Sequence, residues 1–136
     1  MMNPVVHFEM PYEDKDRAAD FYGKAFGWKA NMLGAEMGNY VVMHTTETDE
    51  KNMVKEPGRI NGGLYAKSPT ATQGPSVVIA VEDIQAGMKR VEEAGGKIIG
   101  GRKAGEPDDI PGVGKYISFY DSEGNRVGML EPSGSM

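Results

Sequence analysis

The sequence predicts an α+β fold of two tandem βαβββ modules whose curved sheets enclose a cleft, and three observations predict it. The first is an internal repeat. Residues 5–28 and 74–97 correspond at a shift of 69 positions, which sets His7 on Ser76, Asp14 on Asp83, Ala25 on Ala94 and Gly27 on Gly96. The second is the content of each copy: an apolar strand, an acidic turn, an amphipathic helix and a glycine stop 20 residues beyond the strand residue. The third is that each copy leads into short strand-like pieces parted by polar or glycine-bearing turns. One helix cannot cover both faces of a four-stranded sheet, so the uncovered face of each sheet must meet another.

The first strand opens the first module. In VVHFEM, Val6, Phe8 and Met10 form an apolar row, and His7 and Glu9 share the opposite face. Asp14 is placed to cap a helix with Ala18, Phe21, Tyr22, Ala25 and Phe26 at helical spacing, and Gly27 ends it in the left-handed region. Strands are expected at 30–33, 39–45 and 60–67. The first module covers about 4–67, the linker 68–74 and the second module about 75–132. In the second module Val77, Ile79 and Val81 form the core row, with Ser76, Val78 and Ala80 opposite. Asp83 caps a helix carrying Ile84, Met88, Val91 and Ala94, and Gly95-Gly96 stop it. A strand piece at Ile98-Ile99, a long loop at 100–114, strands at 115–120 and 125–131 and a disordered tail from Pro132 complete the chain.

Composition narrows the function classes. A chain of 136 residues with 39% apolar and 26% charged residues suits one ordinary globular domain. A net charge of −5 argues against nucleic acid or an anionic membrane as partner. With no cysteine there is no thiolate nucleophile and no cysteine-held metal. No apolar stretch approaches the ~18 residues of a membrane span, and no signal peptide is expected, so a cytoplasmic location is the default. No Ser-His-Asp arrangement or phosphate loop is visible.

Three segments, VVHFEMP with RAADFYGKAFGW, VEDIQAGMKRVEEAGGKI, and DIPGVGKYISFYDSEGNRVGMLEP, together resemble the glyoxalase/bleomycin-resistance/extradiol-dioxygenase superfamily, also called vicinal oxygen chelate proteins. The resemblance spans about residues 4–132 and is nearest to the subgroup of uncharacterised proteins related to lactoylglutathione lyase. It implies a divalent metal held by the first and last strands of each module, and a mobile lid at 101–114. Carried over by position, the implied ligands are His7, Gly63, Ser76 and Gly128. Two glycines and a serine supply no adequate donor set, so no cofactor is expected. A divalent metal at His7, Glu9 and His44 is the minor alternative.

The candidate site therefore rests on other chemistry. His7 and Glu9 are the candidate catalytic pair, either of them able to transfer a proton. Glu9 could instead balance Arg59 or Arg126. His44, Tyr40, Tyr65, Tyr116 and Arg126 are the candidate ligand-binding residues, the tyrosines offering a flat apolar face with a polar tip. The expected function is binding of a small molecule without the usual metal, with metal-independent action on a small carbonyl or hydroxylated compound. A sequestering resistance-type binder is the alternative, and a metal-dependent lyase or dioxygenase ranks after it. The expected partners are a small-molecule ligand and a second copy of the chain in a homodimer.

Overall fold

The computed structural model describes residues 2–51, 53–68 and 74–133. The strands are β1 (Val5–Tyr12), β2 (Lys29–Met32), β3 (Val41–His44), β4 (Asn61–Ala66), β5 (Ser76–Ala80), β6 (Lys97–Gly100), β7 (Asp108–Ile110), β8 (Gly114–Tyr120) and β9 (Arg126–Pro132). The helices are α1 (Lys15–Phe26) and α2 (Ile84–Glu93). The chain divides into two compact units, His7–Pro75, and Met1–Val6 with Ser76–Met136. Residues 69–73 of the expected linker and 134–136 of the expected tail lie outside the described residues.

In the unit His7–Pro75 the strands run in the order β2-β3-β4-β1, with β1 parallel to β4 and the other pairs antiparallel. Helix α1 begins where Asp14 accepts a hydrogen bond from the Arg17 amide at 3.0 Å and ends at Gly27 with φ 75°. Ala18 and Tyr22, one turn apart, pack with Phe8, Met10, Tyr12 and Trp28 against buried Val41, Met43 and Leu64. Trp28 stacks on Tyr22 with ring centroids 4.7 Å apart. Burying each of the three central side chains contributes on the order of 2 kcal/mol. Phe21 and Phe26 depart from the expected apolar stripe, being 58% and 65% exposed. Helical residues advance ~100° each, so a helix that seats Tyr22 on a sheet turns Phe21 toward its flank.

In the other unit the order is β6-β8-β9-β5, with β5 parallel to β9, and β7 pairs with β8. Both units thus read second-third-fourth-first, and each is a βαβββ arrangement, the second carrying β7 as an addition. Asp83 accepts from the amides of Gln85 and Ala86, and Glu131 of β9 accepts from the Ile84 amide at 2.9 Å, so two carboxylates serve the start of α2. The core joins Val81, Ile84, Ile117, Phe119 and Met129, with Ile79, Met88 and Val91 against it. The turn between β8 and β9 is tied by Asp121. Hydrogen bonds from Asn125 hold its carboxyl below the usual range.

Three sequence expectations are corrected here. The segment 100–114 is not an open loop: β7 pairs with β8, and Asp108 accepts from the Arg102 amide at 2.8 Å. Pro132 belongs to β9 and the Ser133 amide donates to the Val113 carbonyl at 3.0 Å, so the strand outlasts the expected start of the tail. On β5, Val77 is exposed while Val78 and Ala80 are buried, because both faces of the strand are covered and only its first apolar position lies near an end.

Candidate functional site

Alternation along β1 sends Phe8 and Met10 to the core and leaves His7 and Glu9 on the sheet face away from it. Register carries that face across the unit. It holds Asn61, Gly63 and Tyr65 on β4, Val42 and His44 on β3, and Asn31 and Lys29 on β2. Asn61 turns its carbonyl oxygen to the amides of Thr45 and Thr46, which anchors the chain just past His44.

Tyr40 precedes β3 and lays its ring over β4 at Gly63. A β-carbon at Gly63 would overlap the Tyr40 hydroxyl and ring. The neighbouring Gly62 receives Phe8 in the same way, and adjacent strand positions point to opposite faces. The two glycines therefore seat one aromatic ring on each side of the sheet. The Tyr40 carbonyl accepts from the Leu33 amide at 2.9 Å, which holds the residue in place from the backbone side.

From this seat the Tyr40 hydroxyl donates to Glu9 Oε2 at 2.9 Å and lies 3.2 Å from His7 Nε2. The three side chains form a hydrogen-bonded chain, each member half-buried. Burial pushes the His7 imidazole below its ordinary value of 6.5, and the negative charge of Glu9 opposes that shift without cancelling it. His7 is neutral at pH 7 as a result.

The remaining candidates are placed by register and by their own elements. Tyr65 lies beside Pro11, one step along the same face from the Glu9–Gly63 pair. His44 shares the face from β3, in register with Lys29, outside the His7–Tyr40–Glu9 chain. Arg59 pairs with Glu56 at 2.8 Å. Tyr116 and Arg126 belong to the other unit. There Arg126 opens β9 opposite Tyr120, and the Tyr116 hydroxyl lies over Gly128, 2.7 Å from where a β-carbon would stand. Each unit thus sets a tyrosine over a glycine of its last strand. Sequence reasoning missed Gly63 as the seat of Tyr40, although the doubled glycine inside an otherwise regular strand, NGGLY, is a signal of close approach.

The comparisons with known proteins agree with this architecture. The family described as Bleomycin resistance protein-like N-terminal matches residues 5–46. A glyoxylase-like domain-containing protein of Didymella fabae is 27% identical over 124 residues, 86% of this chain and 84% of that protein. Among solved structures, a hypothetical protein from Bacillus halodurans C-125 has 16% identity and a TM-score of 0.67, covering 100% of this chain and 99% of its own. A variant of Streptomyces coelicolor methylmalonyl-CoA epimerase in complex with 2-nitronate-propionyl-CoA has 12% identity and a TM-score of 0.69, covering 98% and 100%. The duplicated βαβββ arrangement and these likenesses define a protein of the glyoxalase/bleomycin-resistance fold. In fold the chain is similar to the glyoxalase and bleomycin-resistance proteins.

The divalent metal that the resemblance implies does not suit the residues present. At Gly63 and Gly128 a tyrosine fills the space a ligand side chain would need. At His7 the Nε2 atom is already engaged by Tyr40. Among the described residues no three His, Cys, Asp or Glu side chains stand close enough together to hold a metal ion, the His7, Glu9 and His44 alternative included. Among the described residues, too, no helix is long and apolar enough to cross a membrane.

Proposed function

We propose that the protein binds a small carbonyl or hydroxylated compound on the face that carries His7, and moves a proton on it without a metal ion. The observation that carries this reading is the hydrogen-bonded chain of His7, Tyr40 and Glu9. A neutral imidazole joined through a phenol to a carboxylate is an acid–base group held in one geometry, and such groups contribute roughly 10²–10⁴ in rate. The superfamily's epimerases support the carbonyl class, one of them holding a nitronate analogue of propionyl-CoA. On such a compound the bond between the α-carbon and its hydrogen breaks. The proton passes to the protein base and the electron pair moves to the carbonyl oxygen as an enolate. Return of the proton to carbon restores the carbonyl compound.

The test is exchange of α-hydrogen in deuterium oxide, followed by mass spectrometry, with propionyl-CoA, pyruvate and dihydroxyacetone as probes. Deuterium should enter at least one of them, persist in EDTA, and fall about 100-fold in His7→Gln. Exchange abolished by EDTA would overturn the metal-free step. A second reading, sequestration of a ligand without turnover, is favoured by the bleomycin-resistance-like match, which spans His7, Glu9, Tyr40 and His44. Probes that raise the melting temperature by mass action yet exchange no hydrogen would decide for it.

A further inference from the structure

We infer that the working base of this site is Nδ1 of His7, held as a single tautomer, and that Tyr40 and Glu9 are positioning residues that set that tautomer. The assignment rests on the acid–base reading above and deepens it, since His7 and Glu9 are otherwise equal candidates.

The direction of the hydrogen bonds decides between them. A tyrosine hydroxyl has one proton to give. Tyr40 gives it to Glu9 Oε2. Its oxygen can therefore only accept from His7, so Nε2 carries the ring proton. A neutral imidazole has a single N–H, which leaves Nδ1 with a bare lone pair.

Access points the same way. Among the described residues the His7 ring makes no hydrogen bond beyond the one to Tyr40. No buried side-chain nitrogen or oxygen of the described residues is left without a partner, so Nδ1 is not sealed inside the protein. It is an acceptor without a protein donor, whereas Glu9 already accepts from Tyr40 through Oε2. The ligand this nitrogen suits presents a proton to it: a hydroxyl, or a carbon acid beside a carbonyl. When Nδ1 takes that proton, the new positive charge is hydrogen-bonded through Tyr40 to the Glu9 carboxylate, which stabilises it. Gly63 belongs to the device because it admits the Tyr40 ring to the place from which its oxygen meets both partners.

The test reads the tautomer directly and needs no substrate. The full chain contains only two histidines, His7 and His44. Long-range proton–nitrogen correlation on the ¹⁵N-labelled protein above pH 7, with a His44→Gln variant for assignment, distinguishes a protonated ring nitrogen from a bare one. We expect His7 protonated at Nε2 and bare at Nδ1. In Glu9→Ala the Tyr40 proton loses its acceptor and turns to His7, so the tautomer should invert to Nδ1–H. In Glu9→Gln the amide oxygen still accepts from Tyr40, and the original tautomer should return. In Tyr40→Phe the preference should disappear, with the two nitrogen signals moving toward each other. A wild-type Nδ1–H tautomer, or a ratio indifferent to Glu9→Ala, overturns the assignment. The expected tautomers without hydrogen exchange in any carbonyl probe would sink the proposed function and leave this hydrogen-bond direction standing.

Discussion

At the residue scale the site depends on a side chain that is absent. Gly63 is not in a left-handed conformation, so its requirement is one of space alone. Gly63→Ala would drive a methyl group into the Tyr40 ring, and overpacking of this kind costs about 1–3 kcal/mol. Removing the ring as well, in Tyr40→Ala/Gly63→Ala, should recover most of that loss. A double-mutant cycle by urea unfolding would then show a coupling of about 0.5–3 kcal/mol, and additive costs would mean the two residues do not share this space. His7 and Glu9 stand out in the sequence because polar residues opposite an apolar row are informative at period two, whereas Tyr40 is one of several tyrosines offered as ligand-binding residues. Their connection was not legible. It depends on the register of β1 against β4, 54 positions apart for His7 and Asn61, and local pattern carries no information on that pairing.

At the scale of the element, what is local was legible. Asp14, Gly27 and Asp83 mark helix ends through bonds to residues two to five positions away, and those ends lie where the pattern put them. The second carboxylate at the start of α2 is different, since Glu131 reaches the Ile84 amide from 47 positions further on. Asp83→Ala and Glu131→Ala should each lower stability by about 1 kcal/mol, read as a shift of the urea midpoint with an unchanged slope. Asp83→Asn should lose much less, because asparagine caps nearly as well. The missed strand β7 has a comparable explanation. A run of glycine, proline and acidic residues reads as loop, and only the partner strand β8 reveals its pairing. The exposure of Phe21 and Phe26 was equally out of reach, because helical spacing gives the angle of a stripe and not the width of the surface that receives it.

At the scale of the whole molecule the duplication made the fold readable, because each module repeats the same strand order and so states the topology twice. The ligand was not readable, since what a face recognises is set by a few side chains brought together across strands. The half-buried histidine nevertheless gives the protein as a whole a pH signature. Its folded value is lowered from 6.5, so below that pH the unfolded chain binds more protons than the folded one. Stability attributable to neutral His7 is complete above about pH 6.5 and is lost as pH falls from there through the folded value. The melting temperature should therefore climb between pH 5 and pH 7, and the climb should be shallower in His7→Gln. Equal slopes in the two proteins would show that His7 is not desolvated in the fold.

The stack of Trp28 on Tyr22 has an optical consequence. Trp28 is the only tryptophan in the chain, and it sits in the unit His7–Pro75 with its ring 4.7 Å from Tyr22 at an interplanar angle of 10°. Light emitted by the indole thus reports on one half of the molecule alone, with a phenol beside it as an excitation donor. The other half holds no tryptophan and only Tyr116 and Tyr120 of the six tyrosines, so a loss of indole signal dates the opening of the first module by itself.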